Sequence, residues 1–167
     1  MQRIADKVGL TKGALYGHFA TKEDLAAVFA ERLSKVTATL STVDSEPVGR
    51  PFQELRELLM TAATVFQEDD ITHAAFRLAA EEASATDTQI PLMAGMRESV
   101  WHLVNRLQQE EQWASPVTTA HLTDLIVAAF FGTYWTSSAE DRNELIRRTD
   151  NLWEMLSGAL MRGSAEC

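Results

Sequence analysis

Apolar side chains recur every three or four positions along most of the chain. Leu55, Leu58, Leu59, Ala62 and Phe66 form one series, Ala75, Phe76, Leu78, Ala79 and Ala83 a second, and Val100, Trp101, Val104 and Leu107 a third. Leu122, Leu125, Ile126, Ala129 and Phe130 follow, and Leu145, Ile146, Leu152, Trp153, Leu156 and Leu160 close the chain. A helix turns once in about 3.6 residues, so this spacing gathers the apolar groups on one face that can be buried. No segment alternates apolar and polar residues rich in β-branched side chains, so strands are not expected and the chain reads as all-α. Proline and glycine cluster at the breaks, in Glu46-Pro47-Val48-Gly49-Arg50-Pro51, at Ile90-Pro91 and in Trp113-Ala114-Ser115-Pro116. Helices are expected over about 2–8, 12–19, 22–41, 51–69, 72–85, 92–112, 118–137 and 140–162. Two starts have a chemical signature. Thr21 stands three residues before Asp24, approximating a capping box, and Pro51 suits the first turn of a helix.

The opening MQRIADKVGLTKGALYGHF has the finest pattern. Ile4, Ala5 and Val8 share one side of a first short helix, Gly9 permits the left-handed conformation of a sharp turn, and Leu10 drops beneath it. Thr11 caps the next helix, in which Leu15 and Phe19 face inward. Lys12, Gly13, Tyr16 and His18 are left on the outer side. A helix held by one face, with small and polar groups on the other, can enter the major groove of DNA. Gly13 would allow close approach of the backbone and Lys12, Tyr16 and Lys22 would hold phosphates, with Thr11 and His18 beside them on the DNA contact edge. Charge agrees with this reading. The whole chain has a formal net charge of -9, yet residues 1–35 carry six basic side chains against four acidic ones. A basic head on an acidic body suits a DNA reader whose mass mostly serves another purpose.

At Thr11-Lys12-Gly13-Ala14-Leu15-Tyr16-x-His18-Phe19, followed by Lys22-Glu23-x-Leu25, the chain resembles the helix-turn-helix of the TetR family of transcription regulators. The resemblance implies an all-helical homodimer that binds a palindromic double-stranded operator and releases it when a small ligand enters the C-terminal domain. It divides the chain into a DNA-binding domain at 1–36 and a ligand-binding and dimerisation domain at 37–167. Within the family the run from Lys12 to Leu25, with Phe131-Gly132-Thr133 and Leu152-Trp153-Glu154-Met155, is most similar to the γ-butyrolactone autoregulator receptors. Those receptors carry a pocket tryptophan that would fall near Met96, whereas here the nearest is Trp101. Family members also carry a helix ahead of the one that opens here, so the resemblance implies a DNA-binding domain lacking its first helix. Exposing a few hundred Å² of the Ile4, Val8, Leu15 and Phe19 face would cost several kcal/mol at about 25 cal/mol per Å². Poor DNA binding is therefore expected of the chain as it stands.

The remaining helices offer a pocket and an interface. Met60, Phe66, Phe76, Met93, Met96 and Trp101 lie on successive helices and suit an adaptable apolar pocket, with Gln67, Thr72 and His73 as candidate polar contacts. The effector expected there is a small apolar molecule, a γ-butyrolactone or an antibiotic-like compound. Leu125, Ala129, Gly132, Trp153 and Leu156 belong to two helices with broad apolar faces, which would pair across a two-fold axis as a four-helix bundle. The rival readings are a truncated regulator that dimerises without binding DNA and a helical-bundle metal enzyme. For the latter the chain offers one half-motif, Asp70-Ile-Thr-His73, and no nucleophile elbow, phosphate loop or zinc signature. No catalytic residue, metal or cofactor is expected. The apolar run from Leu125 to Trp135 is too short for a membrane span, and the start does not resemble a secretion signal, so a cytoplasmic location is expected. The single Cys167 is consistent with a reducing compartment.

Overall fold

A computed structural model describes residues 21–42, 50–110, 117–137 and 142–163. Among them are six α-helices: α1 (Lys22–Thr42), α2 (Pro51–Glu68), α3 (Asp70–Thr86), α4 (Pro91–Glu110), α5 (Thr119–Thr136) and α6 (Leu145–Gly163). A 3-10 turn, Arg142–Glu144, leads into α6, where a helix from residue 140 was expected. The helices expected at 2–8 and 12–19 lie outside the described residues.

The ends of these helices are set by local chemistry. Thr21 and Asp24 form the reciprocal pair expected of a capping box: the Thr21 amide donates to Asp24 Oδ2 and the Asp24 amide to Thr21 Oγ1, each at 3.0 Å. Pro51 sits in the first turn of α2. Asp69 alone separates α2 from α3, and its carboxylate accepts the amides of Ile71 and Thr72, so α3 begins at Asp70, two residues ahead of the expected start. At the far end of α3, Asp87 takes a left-handed conformation with φ 53°, a C-cap formed without glycine. The hydroxyl of Thr118 caps α5 by accepting the His121 amide.

One hydrophobic core runs through the bundle. Val36 and Leu40 of α1, Leu55, Leu58, Leu59, Ala62 and Phe66 of α2, Leu92, Met96, Val100 and Leu103 of α4, and Ile126 and Phe130 of α5 are buried in it. On α6, Leu145, Thr149 and Trp153 recur four residues apart and all face inward. Trp153 lies against Phe52 of α2 with ring centroids 4.6 Å apart. One ion pair crosses the core edge: Arg106 of α4 donates to the buried Glu54 of α2 at 2.7 Å. α1 crosses α4 closely at Gly95, where a Cβ would stand 2.8 Å from the Thr37 methyl carbon. It runs unbroken through residues 36 and 37, across the domain boundary expected from sequence.

Candidate functional site

Of the residues expected to touch DNA, Thr11, Lys12, Gly13, Tyr16 and His18 lie outside the described residues. Lys22 is the first residue of α1. The capping pair at Thr21 and Asp24 thus fixes where α1 begins, directly after the segment expected to read DNA.

The centre of the body is aromatic. Phe66 of α2 is fully buried and meets Phe76 of α3 at 5.0 Å and Tyr134 of α5 at 4.8 Å between ring centroids. Phe76 stacks on Phe131 at 5.3 Å with 18° between the planes, and Phe130 packs edge-on with Phe131. Such offset and edge-on pairs each contribute about 0.5–1.5 kcal/mol beyond area burial. Phe66 and Phe76, expected to line a pocket, are both buried in this core, and Met96 and Met93 belong to it as well, buried and at its edge respectively. Met60 is placed elsewhere, beside an open groove of about 420 Å³ formed on the outer side of α2 by Arg56, Glu57, Thr61, Thr64 and Val65. Trp101 is 38% exposed on α4, edge-on to His102, and is separate from the aromatic centre.

The polar candidates have specific partners. Gln67 accepts the Ile146 amide through Oε1 at 3.0 Å, fastening the start of α6 to α2. His73 Nδ1 is 3.0 Å from the Tyr134 hydroxyl, which puts a polar contact at the edge of the aromatic cluster. Thr72 is fully buried, and its hydroxyl donates to Asp69 Oδ2 at 2.6 Å. Arg32 of α1 completes this group. Its Nε reaches Thr72 Oγ1 at 3.1 Å, and Nε and Nη2 both contact Asp69 Oδ2. Burial pushes the Asp69 carboxyl up, but hydrogen bonds from Thr72 and Arg32, with the charge of Arg32, outweigh it and hold the group below its ordinary value of 3.8. Neither Arg32, Asp69 nor Tyr134 stands out in the apolar pattern, because each acts through a polar atom at a helix end or edge.

The outer side of α5 is apolar as well. Leu125 is 55% exposed and Trp135 48% exposed, with the exposed Ala128 and Gly132 between them, and a Cβ at Gly132 would meet nothing within 4 Å. Of the other residues assigned to a dimer face, Ala129 and Leu156 are half-buried and Trp153 is inward against Phe52. Met155, one position from Leu156, is 67% exposed. Among the described residues no group of three or more His, Cys, Asp or Glu side chains is placed to hold a metal ion. Among the described helices none is long and apolar enough to cross a membrane.

Residues 1–28 match the family model described as "Bacterial regulatory proteins, tetR family". A chain from a structural study described as "Molecular basis for control of antibiotic production by a bacterial hormones" superposes with a TM-score of 0.66 at 27% identity, over 95% of this chain and 84% of that one. The chain thus joins a match to the TetR family over residues 1–28 to the fold of that structure over nearly its whole length. A second solved structure, a "gamma-butyrolactone receptor (ArpA-like protein)", has the same fold at a TM-score of 0.56 and 21% identity, over 90% of this chain and 84% of that one. No curated protein matches the chain significantly. The family match ends at residue 28, inside α1, the helix that also carries Arg32.

Proposed function

We propose that the chain is a ligand-responsive repressor that reads a palindromic operator as a homodimer, in the cytoplasm, and leaves the DNA when a small apolar effector occupies its helical body. The observation that carries this reading is the coincidence of a TetR match at residues 1–28 with a fold shared by a chain studied for "control of antibiotic production by a bacterial hormones" and by a "gamma-butyrolactone receptor". Thr11, Lys12, Gly13, Tyr16, His18 and Lys22 form the DNA contact edge in this reading, and the division between reading and effector domains falls within α1. The effector enters among Phe66, Phe76, Met93 and Met96, with Tyr134 and His73 as the polar edge of the site. A γ-butyrolactone or an antibiotic-like molecule fits the apolar surroundings. The two copies pair through the exposed side of α5, at Leu125, Ala128, Gly132 and Trp135, with Met155 and Leu156 of α6 beside it.

An effector acts by binding one arrangement of the body better than another, which shifts the spacing of the two reading segments away from that of successive major grooves. The test is selection of duplex DNA from a random-sequence library with the purified protein, at low salt, where phosphate contacts are strongest. Enrichment of a palindrome with half-sites about one helical turn apart, or a multiple of it, supports the reading. Enrichment of no sequence, with dimers present, supports the alternative in which the chain pairs without touching DNA.

A further inference from the structure

α1 is fastened to the body by two contacts of different kinds. One is apolar and tight: Thr37 rests on Gly95 of α4, and the neighbouring Val36 and Leu40 are sunk in the core. The Thr37 hydroxyl donates to the Leu33 carbonyl at 2.9 Å, which holds the side chain in the rotamer that presents its methyl to Gly95. The other is polar: Arg32 is gripped by Asp69 and Thr72 at the corner between α2 and α3. That corner is itself thin, since Asp69 is the single residue between the two helices.

The first turn of α3 is held from both sides. Thr72 faces α1 through Arg32, and the next residue, His73, bonds the Tyr134 hydroxyl of α5 at 3.0 Å. Tyr134 in turn packs on Phe66 and Phe76 at 4.8 and 5.3 Å. A continuous series of contacts therefore runs from the aromatic centre through Tyr134, His73 and Thr72 to Arg32 on α1. Apart from the peptide link between Thr72 and His73, each step is a hydrogen bond or a ring contact that a small displacement of α5 or α3 would lengthen.

We propose that Arg32, Asp69 and Thr72 form a releasable clamp, and Thr37 on Gly95 a pivot, through which the aromatic centre sets the tilt of α1. This deepens the repressor reading above and rests on it for its biological meaning. The geometry amplifies. At about 1.5 Å per residue, Arg32 lies about 7.5 Å from the pivot along the helix and Lys22 about 22 Å. A shift of about 1 Å at the clamp becomes about 3 Å at the helix start, where the segment matching the regulator family joins. A clamp made of one arginine, one carboxylate and one hydroxyl suits this task, since its parts bind strongly in one geometry and poorly when displaced. An apolar contact in the same place would slide.

Spatial continuity alone does not establish coupling, so the test is a double-mutant cycle read on α1 itself. Spin labels are placed at Ala27→Cys on α1 and Glu98→Cys on α4, both exposed positions, in a Cys167→Ser background. Labelled protein is diluted with unlabelled protein so that distances within one chain dominate. The clamp predicts that Arg32→Gln shifts or broadens the distance by about 2 Å for each ångström of slack, given the lever arm. Thr72→Val, which keeps the volume and removes the hydroxyl, has the same effect, whereas Thr72→Ser keeps the unmodified distance. Tyr134→Phe shifts the distance when Arg32 is present and adds nothing in the Arg32→Gln background.

An unchanged distance in both Arg32→Gln and Thr72→Val overturns the clamp. A Tyr134→Phe effect that is absent, or that adds independently to that of Arg32→Gln, overturns its connection to the aromatic centre. Neither DNA nor effector enters the measurement. Failure to select any duplex would therefore remove the repressor reading and leave the distances unaffected, while an unmoved α1 would remove the clamp and leave DNA binding in place.

Discussion

Asp69 serves three structures with one side chain and one peptide. Its backbone interrupts the run from α2 into α3, Oδ1 accepts the amides of Ile71 and Thr72, and Oδ2 holds Arg32 and the Thr72 hydroxyl. Because its pKa is lowered in the folded protein, the stabilisation it contributes is complete above the ordinary value of 3.8 and is lost as pH falls through the lower folded value. Asp69→Asn should therefore melt below the unsubstituted protein at neutral pH, and thermal scans at descending pH should bring the two curves together in the acid range below about 3.8. A constant gap at every pH would assign the effect to the side-chain amide and not to the charge. Thr149 gives a contrasting case. Its hydroxyl is buried without a hydrogen-bond partner, between Leu145 and Trp153 on the inner face of α6. Thr149→Val keeps the shape and removes the unsatisfied group, so denaturant unfolding should show stability unchanged or raised by up to about 1 kcal/mol. Thr72, His73 and Gln67 were legible as polar residues near an apolar centre, but their partners were not. Those partners are Arg32, Tyr134 and the Ile146 amide, which lie from 40 to 79 residues away in sequence.

At the level of helices, period and capping chemistry carried most of the information. Thr21 with Asp24, and Pro51, mark starts that a short-range rule can find, and the helical spacing of Leu55, Leu58, Leu59, Ala62 and Phe66 selects the buried side of α2. The rule fails where a helix is apolar on every side. The run LIVAAFFGTYW in α5 has no polar face to orient it, so Tyr134 and Phe131 could not be told from the exposed Leu125 and Trp135 before the packing was known. Trp153 lies on α6, which does have a polar face at Arg147, Arg148, Asn151 and Glu154, yet it is expected at the dimer face. The spacing from Leu145 through Thr149 turns it toward α2 instead. Gly95 is a third example, since a glycine inside a helix is unremarkable until the crossing with α1 is seen. Alanine there would gain about 1 kcal/mol of helix propensity, but its methyl would meet the stiff Thr37 side chain at 2.8 Å. Gly95→Ala should therefore be neutral to destabilising by about 1 kcal/mol in denaturant unfolding. Adding Thr37→Ser, which removes the opposing methyl, should restore the loss and disclose the propensity gain; no rescue would place the strain somewhere other than this crossing.

For the molecule as a whole, two apolar surfaces have to be distinguished: one that builds the monomer and one that joins monomers. Trp153 belongs to the first, and the exposed stripe of Leu125, Ala128, Gly132 and Trp135 is the one proposed for the second. Leu125→Glu should convert a dimer into the 18.6 kDa chain in sedimentation while helical content is retained. Trp153→Ala should instead lower stability by about 3–5 kcal/mol, as expected for removal of a large core side chain. If Leu125→Glu left the sedimenting mass unchanged, pairing would have to use another surface. The all-helical architecture was legible from the apolar period alone. The proposed DNA-reading role rests on one short segment outside the described residues, whereas the fastening of α1 to the body through Arg32 and Thr37 is something no local pattern expresses.

The central claim is that this helical body carries a DNA-reading head whose contact edge includes Lys12. Its most direct test is the affinity for a library-selected duplex measured by fluorescence anisotropy over a range of salt, for the unsubstituted chain and for Lys12→Ala. A phosphate contact releases counterions, so each one contributes a little under one unit to the slope of log K against log salt. The reading predicts that affinity falls steeply with salt and that Lys12→Ala weakens binding and reduces the slope by about one. An affinity and slope unchanged by Lys12→Ala would contradict it.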